Sequence, residues 1–118
     1  MIPALDLELS GGLGVSALQT WAKTFVTRVY NRLGVKPMIY SNPGFWRSNM
    51  GDTSWFANNG YRVWIANWKV SSPSVPALNW GTHGWTVWQY SSCGRVSGIG
   101  GCVDLDRLRG SDFSKLTY

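Results

Sequence analysis

Two carboxylates stand two positions apart near the start of this 118-residue chain, in Pro3-Ala4-Leu5-Asp6-Leu7-Glu8. The apolar residues around them predict a buried strand from Ile2 to Leu7. On a strand, positions i and i+2 face the same side, with Cα atoms roughly 6.7 Å apart. Asp6 and Glu8 are therefore expected to project together from a strand end, near enough for one carboxyl to hold a proton while its neighbour is ionised, as general acid–base chemistry requires. A loop cap or a surface pair would use the same residues, so the spacing alone does not choose. A third acid, Asp104, follows Trp88-Gln89-Tyr90-Ser91 in the run Gly98-Ile99-Gly100-Gly101-Cys102-Val103-Asp104-Leu105-Asp106. That run reads as a second strand end or as the cap of a helix start. Asp106 is expected to be a neighbouring structural or surface group.

The elements that must hold these groups alternate in type. After Gly11-Gly12-Leu13-Gly14, Ser16 and Gln19 are spaced as a capping box. Leu18, Trp21, Ala22, Phe25, Val29 and Leu33 keep helical spacing along one face, and Gly34 supplies a stop. Pro37-Met38-Ile39-Tyr40 reads as a short buried strand ended by Ser41-Asn42-Pro43-Gly44. Thr53 to Asn58 predicts a helical turn closed at Gly60, followed by a strand over Arg62 to Ala66. Ser71 to Pro76 is loop, Trp85 to Tyr90 a strand, and Cys102 to Leu105 a last short strand. Strand, helix, strand with short connections is the repeat of a parallel α/β sheet, here with early βα units and a late β hairpin.

Five segments, in this order, resemble glycoside hydrolase family 25, the Chalaropsis-type lysozymes: Asp6-Leu7-Glu8, Pro37-Met38-Ile39-Tyr40, Val63-Trp64-Ile65-Ala66, Trp88-Gln89-Tyr90-Ser91 and Gly101-Cys102-Val103-Asp104-Leu105-Asp106. The resemblance runs from Pro3 to about Gly110. It implies a TIM-like barrel, of which residues 1–118 would supply the later half as one truncated domain; a whole eight-stranded barrel takes roughly 250 residues. It also implies hydrolysis of the β-1,4 bond between N-acetylmuramic acid and N-acetylglucosamine in bacterial peptidoglycan. Glu8 then matches the general acid, Asp6 its negative partner and Asp104 the C-terminal active-site acid. Tyr40, Trp64, Gln89 and Tyr90 match positions that line the cleft, with ordinary core packing as the alternative for the three aromatic residues. The family's stretch before the Asp-x-Glu strand has no counterpart here, which would leave the first strand with an unpaired edge. A homodimer, or a separately made N-terminal half, would cover it. The alternative reading is a non-catalytic module that binds cell-wall glycan, or an inactive half-barrel.

Composition narrows the partners. Eleven Lys and Arg against six Asp and Glu give a net charge of +5, which favours polyanions through long-range attraction. The positive residues are scattered and no nucleic-acid motif occurs, so nucleic acid is not expected, whereas an anionic bacterial wall fits. Eight Trp, five Tyr and four Phe exceed what the core of so short a chain needs, and some of these rings are expected along a sugar-binding groove. Cys93 and Cys102, without nearby His or further Cys, make a poor zinc site. A disulfide closing their Gly-rich loop is expected, with two free thiols as the alternative. A disulfide suits an extracellular setting, although no signal peptide is present, and no membrane-length apolar run or cofactor motif occurs.

Overall fold

A computed structural model describes residues 1–118. Five strands form one sheet in chain order: β1 (Ala4–Asp6), β2 (Met38–Ser41), β3 (Val63–Ala66), β4 (Val87–Gly94) and β5 (Val103–Leu108). The first four are parallel, with Asp6 beside Tyr40, Tyr40 beside Trp64, and Ala66 beside Gln89. β5 returns antiparallel to β4. Its beginning therefore lies at the end of the sheet where the parallel strands finish, and this brings Asp104 toward acids nearly a hundred residues earlier. Val103-Asp104-Leu105-Asp106 is strand, not a helix cap.

Alternation divides each strand between two faces. Leu5, Ile39, Val63, Ile65 and Trp88 face the helices in a core of 16 buried residues, which also holds Leu18, Trp46, Phe56 and Trp80. Most of the chain's apolar burial thus sits on this side. On the other face a small cluster, Ile2, Met38 and Val87, fills the lower end. The C-terminal tail closes over it, with Ile2 N–H donating to Leu116 C=O at 2.8 Å.

Four helical segments link the strands: α1 (Val15–Leu33), α2 (Pro43–Asn49), α3 (Trp55–Asn58) and α4 (Pro76–Gly81). α1 buries Leu18, Ala22 and Val26, one residue per turn. Trp21 and Phe25, expected on the same stripe, stack on each other at 5.7 Å and remain exposed. The expected capping box does not form. Gly14 is the N-cap in an extended conformation, which places Ser16 inside the first turn, and Gln19 Nε2 donates instead to Met50 C=O at 2.8 Å. Gln19 thereby ties α1 to the end of α2, where the helix-terminal Met50 carbonyl also accepts from Thr53 N–H at 3.2 Å.

The punctuation after β2 starts a helix. Asn42 Oδ1 accepts from Phe45 N–H at 2.8 Å, and Pro43 fits the first helical position because no N–H is needed there. α4 is unusual: Ala77 to Trp80 have φ between 51° and 57°, a left-handed run. Such residues cost roughly 1–2 kcal/mol each. The segment is pinned where Ala77 N–H donates to Asp52 Oδ1 at 2.7 Å and Trp80 Nε1–H to Tyr61 C=O at 2.7 Å.

Candidate active site

Glu8 stands two residues beyond the end of β1, next to a well-anchored Leu7. Leu7 N–H donates to Tyr40 C=O at 2.9 Å, and Leu7 C=O accepts from the buried Ser41 hydroxyl at 2.8 Å. The Leu7 side chain is buried in the helix-side core. β2 and the core thus fix the peptide from which Glu8 projects, and alternation returns its side chain to the face that carries Asp6.

On that face Asp6, Glu8, Tyr40, Trp64, Gln89 and Asp104 line one cavity of about 260 Å³. Six of the seven residues expected in the site are brought together. The seventh, Tyr90, is not: it follows Gln89 directly, so the strand turns it to the opposite face. There it packs 5.8 Å from Trp88, with the Arg107 guanidinium 5.3 Å from its ring.

Burial raises the Glu8 carboxyl above its ordinary range, and Asp6 and then Asp104 push it further. Two carboxyl groups hydrogen-bond only when one is protonated, so the contact with Asp6 favours the acid form of Glu8. Partial shielding from water and nearby negative charge act in the same direction here, as they do for a general acid. The Tyr40 phenol is pushed up to about 12, by burial first and by Glu8 next. It therefore stays neutral and keeps its proton to donate.

That proton goes to Gln89. Tyr40 Oη–H donates to Gln89 Oε1 at 3.0 Å, and Trp68 Nε1–H donates to the same oxygen at 3.0 Å. An indole is a donor only, so it fixes the carbonyl oxygen of Gln89 on its side. The Gln89 amide nitrogen has no protein partner, and no buried side-chain polar atom lacks one. Its N–H groups are thus directed where a ligand carbonyl or hydroxyl can accept them. Trp64 packs edge-on to Tyr40 at 5.1 Å, and its Nε1–H donates to Asp106 Oδ1 at 2.7 Å. Asp106, whose carboxyl is raised by burial with Asp104 adding to it, orients an aromatic wall.

Sequence reasoning missed Trp68, Ser41 and the task of Asp106. Trp68 follows β3 by two residues, at the strand-end level where barrel folds keep their working groups, and that position was the available signal. Glu8 also borders a second, larger cavity of about 540 Å³, walled by Trp68, Arg47 and Lys69. The expected disulfide is present between Cys93 and Cys102 and closes the loop that leads from β4 into β5.

Parallel strands ending in a pair of carboxyls, one raised in pKa beside an aromatic wall, are the arrangement that the chemistry of the glycoside hydrolase class calls for. Comparison with known proteins makes that specific: the chain belongs to the glycosyl hydrolases family 25, whose family model matches residues 1–99. Asp104 lies beyond that stretch, so its place in the site rests on the geometry of β5. The chain is 36% identical over 100 residues to lysozyme M1 of Streptomyces globisporus, covering 85% of this chain and 33% of the relative. It is 33% identical over 110 residues to the N,O-diacetylmuramidase of Chalaropsis sp., covering 85% of this chain and 51% of that one. Among solved structures, the bacterial lysozyme from Streptomyces coelicolor superposes with a TM-score of 0.83 at 34% identity, over 92% of this chain and 51% of that chain. The chain therefore spans one third to one half of the length of these relatives.

Proposed function

We propose that this chain carries the acid-bearing part of a peptidoglycan hydrolase that cleaves the β-1,4 bond between N-acetylmuramic acid and N-acetylglucosamine. The observation that carries the reading is the raised Glu8 carboxyl beside Asp6, in one cavity with Asp104, Tyr40, Trp64 and Gln89. Glu8 donates its proton to the leaving glycosidic oxygen, while Asp6 acts as its negative partner and stabilises the positive charge that develops at the anomeric carbon. Asp104 adds negative potential from β5. The free N–H groups of Gln89 donate to the acetamido carbonyl of the bound sugar, and the Trp64 ring covers its flank.

The residues that would close the barrel lie outside the five strands described. β1 pairs only with β2 and presents an open edge beside Asp6. A second copy, or strands equivalent to the remaining half of the Streptomyces coelicolor lysozyme, would pair with that edge and enclose the acid face. The disulfide supports an extracellular setting, and the net charge of +5 favours residence on an anionic wall.

The test is release of reducing ends from purified peptidoglycan by the chain and by Glu8→Gln, with mass measured in solution on the same sample. Release that vanishes in the variant, from a species larger than 13.1 kDa, supports both the acid role and association. No release at any concentration from the folded wild-type chain would refute the reading for residues 1–118 alone.

A further inference from the structure

The two ends of the sheet carry opposite charge. Acids gather where β1 to β4 finish, whereas cations gather at the base, where β1 to β4 begin and β5 finishes. Lys36 precedes β2 by two positions, Arg62 directly precedes β3, and Arg109 directly follows β5. Lys115 joins them from the C-terminal 3-10 helix, Phe113–Leu116. Scattered along the sequence, these four of the chain's eleven Lys and Arg are brought by the fold to two adjoining cavities. One, of about 620 Å³, is lined by Arg62, Arg109 and Lys115. The other, of about 310 Å³, is lined by Lys36, Arg62 and Lys115. Arg62 and Lys115 thus belong to both, and no carboxylate lines either one.

Backbone bonds orient these groups without exhausting them. Arg62 Nη1–H donates to Lys115 C=O at 2.6 Å, Arg109 Nη1–H to His83 C=O at 2.6 Å, and Lys36 Nζ–H to Asn59 C=O at 2.6 Å. A guanidinium has five N–H donors and an ammonium three, so one donor fixes each side chain and others are left for a ligand. The Lys36 nitrogen also lies 5.3 Å from the Tyr30 ring and 5.5 Å from the Tyr61 ring. One acid, Asp112, is near enough to feel Lys115 and Arg62. Its carboxyl is held below the usual range first by its bonds to Ser114 and only last by those cations, and it lines neither cavity.

We propose that this basic groove is an anchoring site for a phosphodiester-linked polyanion without bases, a polyol phosphate chain, separate from the acid cavity. Two guanidinium forks match the paired free oxygens of a phosphodiester. Cations spread over two joined cavities suit charge repeated along a chain, each contact adding to binding by releasing counterions. A nucleic acid fits less well, because its bases need free aromatic faces. Of the rings in the lining, Tyr61 and Trp80 are buried, Tyr30 is engaged by the Lys36 ammonium, and Trp85 packs on Trp88 at 6.0 Å. The inference does not depend on hydrolysis. The three-acid cavity at the far end repels the same polyanion, so a chain tethered by its base keeps the acid face open to an uncharged stretch of glycan.

The test measures binding of poly(glycerol phosphate) to the full chain, beside polyglutamate and single-stranded DNA of equal charge. The double variant Arg62→Gln, Lys115→Gln is expected to weaken binding of poly(glycerol phosphate) roughly tenfold at low salt and to flatten its salt dependence. Arg28→Glu removes the same two units of charge from the exposed surface of α1 and should leave binding within about twofold of wild type. Lys115→Gln alone, on a tail helix with no buried residue, should weaken it roughly two- to fivefold. This single variant keeps the comparison should loss of the Arg62 bond to the tail disturb folding. Absence of binding by the wild type, or equal weakening by Arg28→Glu, would overturn the site. Tighter binding of polyglutamate or of DNA would overturn the assignment to a phosphodiester chain without bases.

Discussion

On the helix-covered face of the sheet, Leu5, Ile39, Ile65 and Trp88 disappear into a core shared with Leu18, Trp46 and Phe56. On the opposite face, Asp6, Tyr40, Trp64 and Gln89 occupy alternate positions of the same strands and line a cavity. Neighbouring residues of one strand thus meet opposite demands. The first face gains free energy by removing apolar area from water, with each large ring contributing on the order of 2–3 kcal/mol. The second gathers four of the chain's six acids, Asp6, Glu8, Asp104 and Asp106. Placing like charges together favours protonation over folding strength. Stability and chemistry are therefore separable by face, and substitutions can separate them.

The largest separation is expected at Glu8. Glu8→Gln should lower hydrolysis of peptidoglycan by roughly 10²–10⁴-fold, the usual contribution of a positioned acid, while the thermal midpoint stays within a few degrees of wild type. A fall in stability as large as the fall in rate would break the comparison. Trp46→Ala tests the other face: the fully buried ring packs on Phe56 at 5.3 Å and Trp80 at 4.9 Å. Its loss should cost about 3–5 kcal/mol in denaturant unfolding, enough to unfold much of a marginally stable domain.

Ser41→Ala lies between the faces. It strips the hydroxyl from Leu7 C=O and leaves a buried carbonyl unpaired, at about 1–3 kcal/mol. It should also lower kcat, because the peptide that aims Glu8 is released. If only stability falls, β2 does not position the acid.

The smallest effect is the pH dependence of folding. Glu8 and Asp106 both have raised pKa values in the folded chain, burial being the first cause. Each therefore contributes stability that is present below its unfolded pKa, about 4.5 and 3.8 respectively, and is lost as pH rises through the raised folded value. The exposed Asp112, lowered by its bonds to Ser114, has the opposite sign. Thermal midpoints measured from mildly acidic to neutral pH should show the first trend, and Glu8→Gln should flatten it.

How much was legible follows the same division. The strands were readable because apolar runs with strand-end acids are short-range patterns, and the order of βα units followed by a hairpin came through with boundaries shifted by a few residues. The six residues around the acid cavity were found because alternation and the family motifs placed them on one face. Tyr90 was grouped with Gln89 although alternation alone separates them. The capping box failed because Gln19 had a tertiary partner, Met50, that local spacing cannot show. Likewise, the stripe on α1 ran wider than its buried part, since Trp21 and Phe25 lie beyond the reach of the sheet. Trp68 and Asp106 act through side chains 21 and 42 positions away, and no local pattern encodes such pairs.

The order of strands in the sheet, β1 to β5 without a crossover, carries a consequence for how the chain is made. Each strand finds its partner in the next strand along the sequence, so every pairing closes over one connecting segment, with no long return across the chain. Loop closure is met one connecting segment at a time, and each new strand can dock on an edge that already exists. Residues emerging during synthesis could thus lay down the sheet from β1 onward, and the three-acid cavity would be completed last, when β5 turns back and delivers Asp104.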